Sequence, residues 1–391
     1  MVTIIAMLFS VDYLETKCNF NLKLMEYKLA EYMYGPRSVA VGDLNNDTIL
    51  DLVVIQQKVD KITVYFGVGD GTFTNRIDYS TGLHSRPYAV EIADFNRDSQ
   101  MDIIIANFDS NNIVIMYGLG NRSFSQYTEL LSTNASRPIE IITADFNKDS
   151  YPDIAIANYG TDSISVYYHH LDAPLLITYS TDYDSHPIAL VAEDFDNDNH
   201  LDLAIVNYGT NEIRILFGTS NQYFDDKITI STGVNSQPRS IAVGYFNADE
   251  FIDLVVSNSG TNQISIFLNN GNRTFVYHVS YSTDSGSPYA IGVGDFNQDN
   301  LPDIIVTNKG TTNIILFLGH GNGDFEVSTM LQTGSSSSIA LGIGQLNSDR
   351  RLDIVVVNED TETIDIVIGE YGGFANQTRY PTGLNPQFIT A

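Results

Sequence analysis

The chain has 391 residues, 43% of them hydrophobic and 17% charged, and a formal net charge of −28. That supplies apolar material for a sizeable core, and the acidic balance excludes nucleic acid or an anionic membrane surface as a partner, since both need basic patches. A single cysteine, Cys18, excludes a disulfide framework and a cysteine-based zinc site, and no apolar run reaches transmembrane length.

The chain opens on "MVTIIAMLFSVDYLE". Val2 to Val11 has the length of a secretory apolar segment but lacks a basic flank and a small-residue cleavage site, so it reads equally as a strand. Phe20 to Gly35 reads as an outer strand without a loop of its own. Residues 1–35 therefore form an N-terminal segment, either a closing strand or the remnant of a signal.

From Pro36 a pattern begins that holds to residue 385. A proline-led apolar strand enters a loop with oxygen donors at positions 1, 3, 5 and 9, and a second apolar strand follows at once. Loop one carries Asp43, Asn45, Asp47 and Asp51, and loop two Asp94, Asn96, Asp98 and Asp102. Loop three carries Asp145, Asn147, Asp149 and Asp153; loop four Asp194, Asp196, Asp198 and Asp202; loop six Asp295, Asn297, Asp299 and Asp303. Loop five has Tyr245 and loop seven Gln345 in place of the first Asp, while Asn247, Asp249, Asp253 and Asn347, Asp349, Asp353 keep the rest. Loop starts are 49 to 51 residues apart over seven copies, which defines a repeat architecture. Packed carboxylates resist ionising together, so each cluster costs stability unless a cation neutralises it. Turn propensity explains one or two Asp or Asn per loop, not one spacing five times over.

The repeat at residues 288–333 shows the plan. "PYAIGVGDF" is a strand, "NQDNLPD" the acidic loop, "IIVTN" a second strand, and "KGTTN" a turn in which Gly310 can take positive φ. "IILFLG" is a third strand, "HGNGDF" a Gly-rich hairpin, and "EVSTMLQTG" a fourth, less apolar strand. Proline recurs seven residues before the loop start, at 36, 87, 138, 187, 238 and 288, with Ser338 the exception. Asn107, Asn158, Asn207, Asn258, Asn308 and Asn358 follow the second strand, with Gln56 the exception. No segment has a 3.6-residue period. Strands apolar on both faces must be covered on both faces. Four-stranded units standing face to face around a ring achieve this, which predicts an all-β fold: a β-propeller of four-stranded antiparallel blades. A linear solenoid is the rival, with shorter repeats and distinct caps. Pro386 occupies the proline slot again, so residues 386–391 begin an incomplete repeat. Seven blades are expected, or eight if the two termini combine into a composite closing blade.

"GDFNQDNLPDIIV" with "FLGHGNGDF" resembles the FG-GAP repeat, also described as the VCBS repeat, of integrin α-subunit propellers and many secreted or surface proteins. The resemblance covers about residues 36–385. It implies Ca²⁺ held in the loop between the first two strands of a blade, by the side chains above and by the backbone carbonyl at position 7: Ile49, Gln100, Tyr151, His200 and Leu301. Independently, an all-oxygen set with three or four carboxylates suits Ca²⁺ better than Mg²⁺ or zinc. About five structural sites are expected, with loops five and seven weak or empty. Family loops carry glycine at position 6, where this chain has Thr48, Ser99, Ser150, Asn199, Glu250, Asn300 and Arg350. Asparagine tolerates a left-handed backbone; β-branched and long charged residues do so poorly. Loops four and six are therefore expected to bind best.

The expected function is a calcium-stabilised extracellular or cell-surface scaffold without enzymatic activity. It would take a protein or glycan ligand on a propeller face, in an integrin-like adhesion role, as a monomer or part of a larger chain. The alternative is a lectin, or the propeller of a secreted carbohydrate-active lyase or glycosidase. No G-x-S-x-G, H-E-x-x-H or phosphate loop occurs, and His169 and His170 read as turn residues. Sequons at Asn46, Asn121, Asn134, Asn272 and Asn376 permit glycosylation. The recurring "YSTG" at Tyr79–Gly82 reads as strand-end packing, with a ligand-lining face the alternative.

Overall fold

The structure, a computed structural model, describes residues 36–381 except 133, 170–173, 222, 285, 348 and 371–372. The readings made for residues 1–35 and 386–391 fall outside the described residues. Seven four-stranded sheets span residues 36–80, 87–132, 138–180, 187–231, 238–282, 287–332 and 338–381, each antiparallel and in simple sequential order. First strands neighbour one another from blade to blade, and the first strand of blade seven meets that of blade one. The ring is thus closed by seven blades, as expected, and the alternative of a composite eighth blade falls: Val39, Leu52 and Val54 of blade one pack directly on Ala340, Val355 and Val357 of blade seven.

The reason lies in the second strands. Asp102–Asn107 and Asp153–Asn158 are buried at every residue. Period-two alternation then divides their side chains between two interfaces. Ile103 and Ile105 face blade one, while Ile104 and Ala106 face blade three. Each blade pair shares one apolar cluster, and seven such clusters run round the ring. Fourth strands are outermost; Leu175–Ser180 has residues exposed at every second position.

The recurring proline faces the recurring asparagine in the register, as Pro87 does Asn107. Proline brings no N–H. The buried Oδ1 atoms of Asn107, Asn158, Asn207, Asn258 and Asn308 have no partner among the described residues. Where Ser338 replaces the proline, its hydroxyl donates to Asn358 Oδ1 at 2.7 Å. "YSTG" is strand-end packing. Thr81 and Thr181 are buried, and the hydroxyls of Tyr79, Tyr179 and Tyr281 accept the N–H of Phe124, Phe224 and Phe325 in the following blade.

Candidate metal centres and the channel mouth

The elbow between first and second strands is built around the carboxylate at position 9. Asp51, Asp102, Asp153, Asp202, Asp253, Asp303 and Asp353 are all fully buried. In every blade Oδ2 accepts the N–H of the residue at position 2, from Leu44 to Leu346, at 2.7–3.1 Å. Oδ1 accepts an N–H from the end of the third strand at 2.7–3.0 Å. That donor is usually glycine, and Gly67 shows why: a Cβ there would lie 2.3 Å from the Leu50 carbonyl. Burial, partly offset by these hydrogen bonds, raises Asp51, Asp102, Asp253, Asp303 and Asp353 to about 6, and Asp153 and Asp202 to about 7.

The upper loop is organised by position 1. In loops one to four and six its carboxylate accepts the N–H groups of positions 5 and 6 at 2.6–3.1 Å. Position 5 in turn accepts the N–H of position 7 in all seven loops. The left-handed turn at position 6 is present at Thr48 (φ 68°), Ser99, Ser150, Asn199, Asn300 and Arg350 (φ 69°). Thr48 and Arg350 therefore adopt the conformation their side chains disfavour. Glu250 does not, and loop five, which also lacks the first Asp, has a different backbone.

The donor set fits a hard divalent cation in loops one to four and six, because the side chains at positions 1, 3, 5 and 9 offer oxygen ligands and no thiol or imidazole; in loop four the ring of His200, at position 7, lies 3.0 Å from Asp198 Oδ1. Among the described residues, only loop four brings three carboxylates, Asp194, Asp196 and Asp202, to within 4.8 Å of one another. In loops two, three and six the position-3 amide turns to position 5, as Asn96 Nδ2 does to Asp98 at 3.0 Å. Asn45 instead donates to Asp51.

Among the described residues, two loops meet a cation from the neighbouring blade. "Gly-Asn-Arg" hairpins in blades two and five send Arg122 to Asp47 at 3.0 Å and Arg273 to Asp196 at 2.7 Å. Each guanidinium also lies over an aromatic ring of the blade it reaches, Phe66 or Phe217. Comparing the repeats would have exposed this signal, since arginine occupies that hairpin position only in "GNRS" and "GNRT". His169 stacks on Phe95 at 4.5 Å, in keeping with a hairpin role; His170 lies outside the described residues.

A second site lies on the axis. The residue after each proline slot lines the mouth of the central channel: Arg37, Tyr88, Arg239 and Tyr289 in blades one, two, five and six, and Ile139, Ile188 and Ile339 in the others. Arg37 lies over the Tyr88 ring at 3.3 Å and Arg239 over the Tyr289 ring at 4.5 Å. No motif within one repeat marks this ring, because these residues belong to one site only across repeats.

The FG-GAP-like repeat model matches residues 43–105, 94–156, 194–256, 245–306 and 295–356. The chain is 28% identical over 132 residues to cartilage acidic protein 1 of Xenopus tropicalis, covering 32% of this chain and 20% of that protein. The human protein of the same name is 27% identical over 137 residues, covering 34% of this chain and 20% of that protein. The chain thus spans about a fifth of the length of these curated relatives. Solved structures of similar shape include a periplasmic gluconolactonase of Pseudomonas aeruginosa, with TM-score 0.62, 13% identity, and coverage of 90% of this chain and 98% of that one. An Agrocybe aegerita lectin specific for non-reducing terminal N-acetylglucosamine gives TM-score 0.59 at 15% identity, covering 88% and 93%. Virginiamycin B lyase of Staphylococcus aureus gives 0.56 at 16%, covering 85% and 91%. At such identities the likeness is one of fold.

Proposed function

The chain belongs to the FG-GAP-like repeat family, and from that premise we propose that it is a calcium-stabilised extracellular propeller that binds a protein or glycan ligand rather than transforming it. The observation that carries this reading is the repetition of one carboxylate loop around the ring, five times complete. A device repeated in every blade serves the scaffold; a single active site would be decorated once. Ca²⁺ in these loops would be held by the side chains at positions 1, 3, 5 and 9, with Asp51 and its counterparts joining the ion to three strands at once. The ion would supply the positive charge that lets neighbouring carboxylates ionise together.

Extracellular modules bind calcium with Kd of about 10⁻⁴–10⁻³ M, so such loops fill outside the cell and stay largely empty in the cytosol. At about 1 mM calcium and a Kd of about 0.1 mM, each site contributes roughly 1.4 kcal/mol. Five would add about 7 kcal/mol, comparable to the whole stability of many domains. The test is thermal unfolding with calcium and with EGTA. Chelation is expected to lower the melting temperature by many degrees and added calcium to restore it; an unchanged curve in EGTA overturns the reading. A glycan array then separates the ligand classes, since binding to defined sugars supports a lectin-like role and silence a protein ligand.

A further inference from the structure

We propose that a hydroxyl-lined groove on the blade-two side of blade three binds a neutral sugar ring. The proposal rests on the binding-scaffold reading above and gives its glycan ligand a place.

The wall of the groove is a face of the blade-three sheet. Ser163 and Ser165 alternate along the third strand with Ile164 and Val166, which pack toward blade four, so the two serines face blade two. The register sets Ser163 between Asn158 on the second strand and Ser180 on the fourth, and Ser165 opposite Thr178. Thr161 in the turn, with Asn134 and Ser136 in the linker from blade two, completes a groove of about 440 Å³. That falls within the range of ligand clefts, about 300–1,000 Å³. Asn158 and Asp153 stand at opposite ends of one strand, about 17 Å apart at 3.4 Å per residue, so the groove is remote from the calcium elbow.

Blade three differs from the others at these positions. Its facing sites on the third and fourth strands, Ser163, Ser165, Thr178 and Ser180, are all serine or threonine. Every other blade has a longer or charged side chain at one or more of them: Lys61, Glu129, Arg214, Gln263, Met330 and Asp365. Arg214 and Asp365 lie buried in their blades, and Lys61 and Glu129 reach Asp78 and Asn112 at 3.8 and 2.8 Å. In blade three the same space is open.

Hydrogen bonding decides what can fill it. The hydroxyls of Thr161 and Ser163 lie 3.0 Å apart and those of Ser165 and Thr178 2.9 Å apart, so each pair uses one proton. Asn158 donates to Ser165 at 2.9 Å and to Ser163 at 3.4 Å, and Ser180 Oγ accepts the N–H of Asp182. Among the described residues the other three of these five hydroxyl protons have no acceptor, and the buried Asn158 Oδ1 has no donor. No charged side chain and no aromatic ring lines the groove, so an ionic ligand has no partner there. An extended peptide finds no strand edge, because the second and third strands are paired on both sides. A sugar carries hydroxyls on neighbouring carbons, each a donor and an acceptor, as the wall hydroxyls are. Asn134 is a sequon asparagine at the rim, so the ring can come from a separate glycan or from one attached to this chain.

The experiment is calorimetric titration of the full chain, made without glycosylation and in saturating calcium, with the methyl pyranosides of glucose, galactose and mannose. At least one is expected to bind saturably, and tetrahydropyran, a ring without hydroxyls, not at all. Ser163→Gln, which installs the side chain blade five carries there, should weaken that sugar at least tenfold. Thr178→Val removes one hydroxyl at constant shape, should cost a few-fold, and covers the case in which Ser163→Gln fails to fold. Silence from all three sugars, tetrahydropyran binding as well as the sugars, or undiminished affinity in the variants that fold, each overturns the proposal. The same titration on chain carrying a glycan at Asn134 separates the sources. Affinity for free sugar lowered at least tenfold places the attached glycan in the groove, and equal affinity assigns the groove to a separate one. Melting that ignores EGTA sinks the calcium-scaffold reading instead, and leaves the titration to judge the groove.

Discussion

A buried carboxylate whose two oxygens both accept backbone N–H groups is a fastener in its own right. Asp353 shows this best, because loop seven lacks the first Asp and is not expected to hold an ion. Its Oδ2 takes the N–H of Leu346 at 2.7 Å and its Oδ1 that of Gly369 at 2.8 Å, joining the ends of the first, second and third strands of blade seven. Asparagine has nearly the same shape but only one acceptor, and its NH₂ would face an N–H. Asp353→Asn should therefore destabilise the chain by about 2–4 kcal/mol, the cost of one lost buried bond and one donor left against a donor. With loop seven expected to be weak or empty, urea unfolding should give the same loss with calcium and with EGTA. A loss confined to the calcium-loaded chain would show that Asp353 works through a cation instead.

At the scale of the hairpin and elbow, the two arginine latches set loops one and four apart from the others. Asp196 is only 8% exposed in its side chain, and Arg273 from the next blade neutralises it at 2.7 Å. Ca²⁺ in loop four would supply the same charge compensation, so the guanidinium and the ion compete for one carboxylate. Arg273→Gln should then cost about 1–2 kcal/mol in EGTA, between the worth of an exposed and of a buried pair. It should cost less in calcium, because the ion replaces the lost charge. The melting-temperature increment on adding calcium is expected to be larger in the variant than in the parent chain; equal increments would refute the competition. The blades, their strand order and the elbows were legible in the sequence because each is local and repeated seven times: the proline slot, the 1-3-5-9 spacing, the Gly-rich hairpin. The latch and the channel mouth were not, since both join residues from different blades. Arg273 and Asp196 are 77 positions apart, and no local pattern ties them together. Ring closure was legible, because strands apolar on both faces need a neighbour on each side; what stayed open was seven blades or eight, since nothing within one repeat says that the seventh will pack on the first.

For the ring as a whole, closure has an electrostatic consequence. First strands from all seven blades converge on the axis, so polar side chains they point inward are crowded together. Glu91 of blade two and Glu140 of blade three are the acidic pair there. Burial, and for Glu91 also the repulsion of Glu140, pushes Glu91 from an ordinary 4.5 up to about 8; burial pushes Glu140 to about 7. The folded chain thus holds these protons more tightly than the unfolded chain does. Between pH 4.5 and 8 the folded state binds more protons than the unfolded state, so stability falls as pH rises through that window. Glu91→Gln removes the titrating group while keeping its size. The variant should match the parent below about pH 4.5 and gain on it progressively, by about 1–2 kcal/mol at pH 8, a figure reduced for the screening that a water-accessible channel provides. Unfolding both chains in saturating calcium across this range keeps the elbow carboxylates common to both, so their own titration cancels in the difference. A stability difference that does not change with pH would mean that Glu91 is not strained by its neighbours, and that the channel is wet enough to let both carboxylates ionise freely.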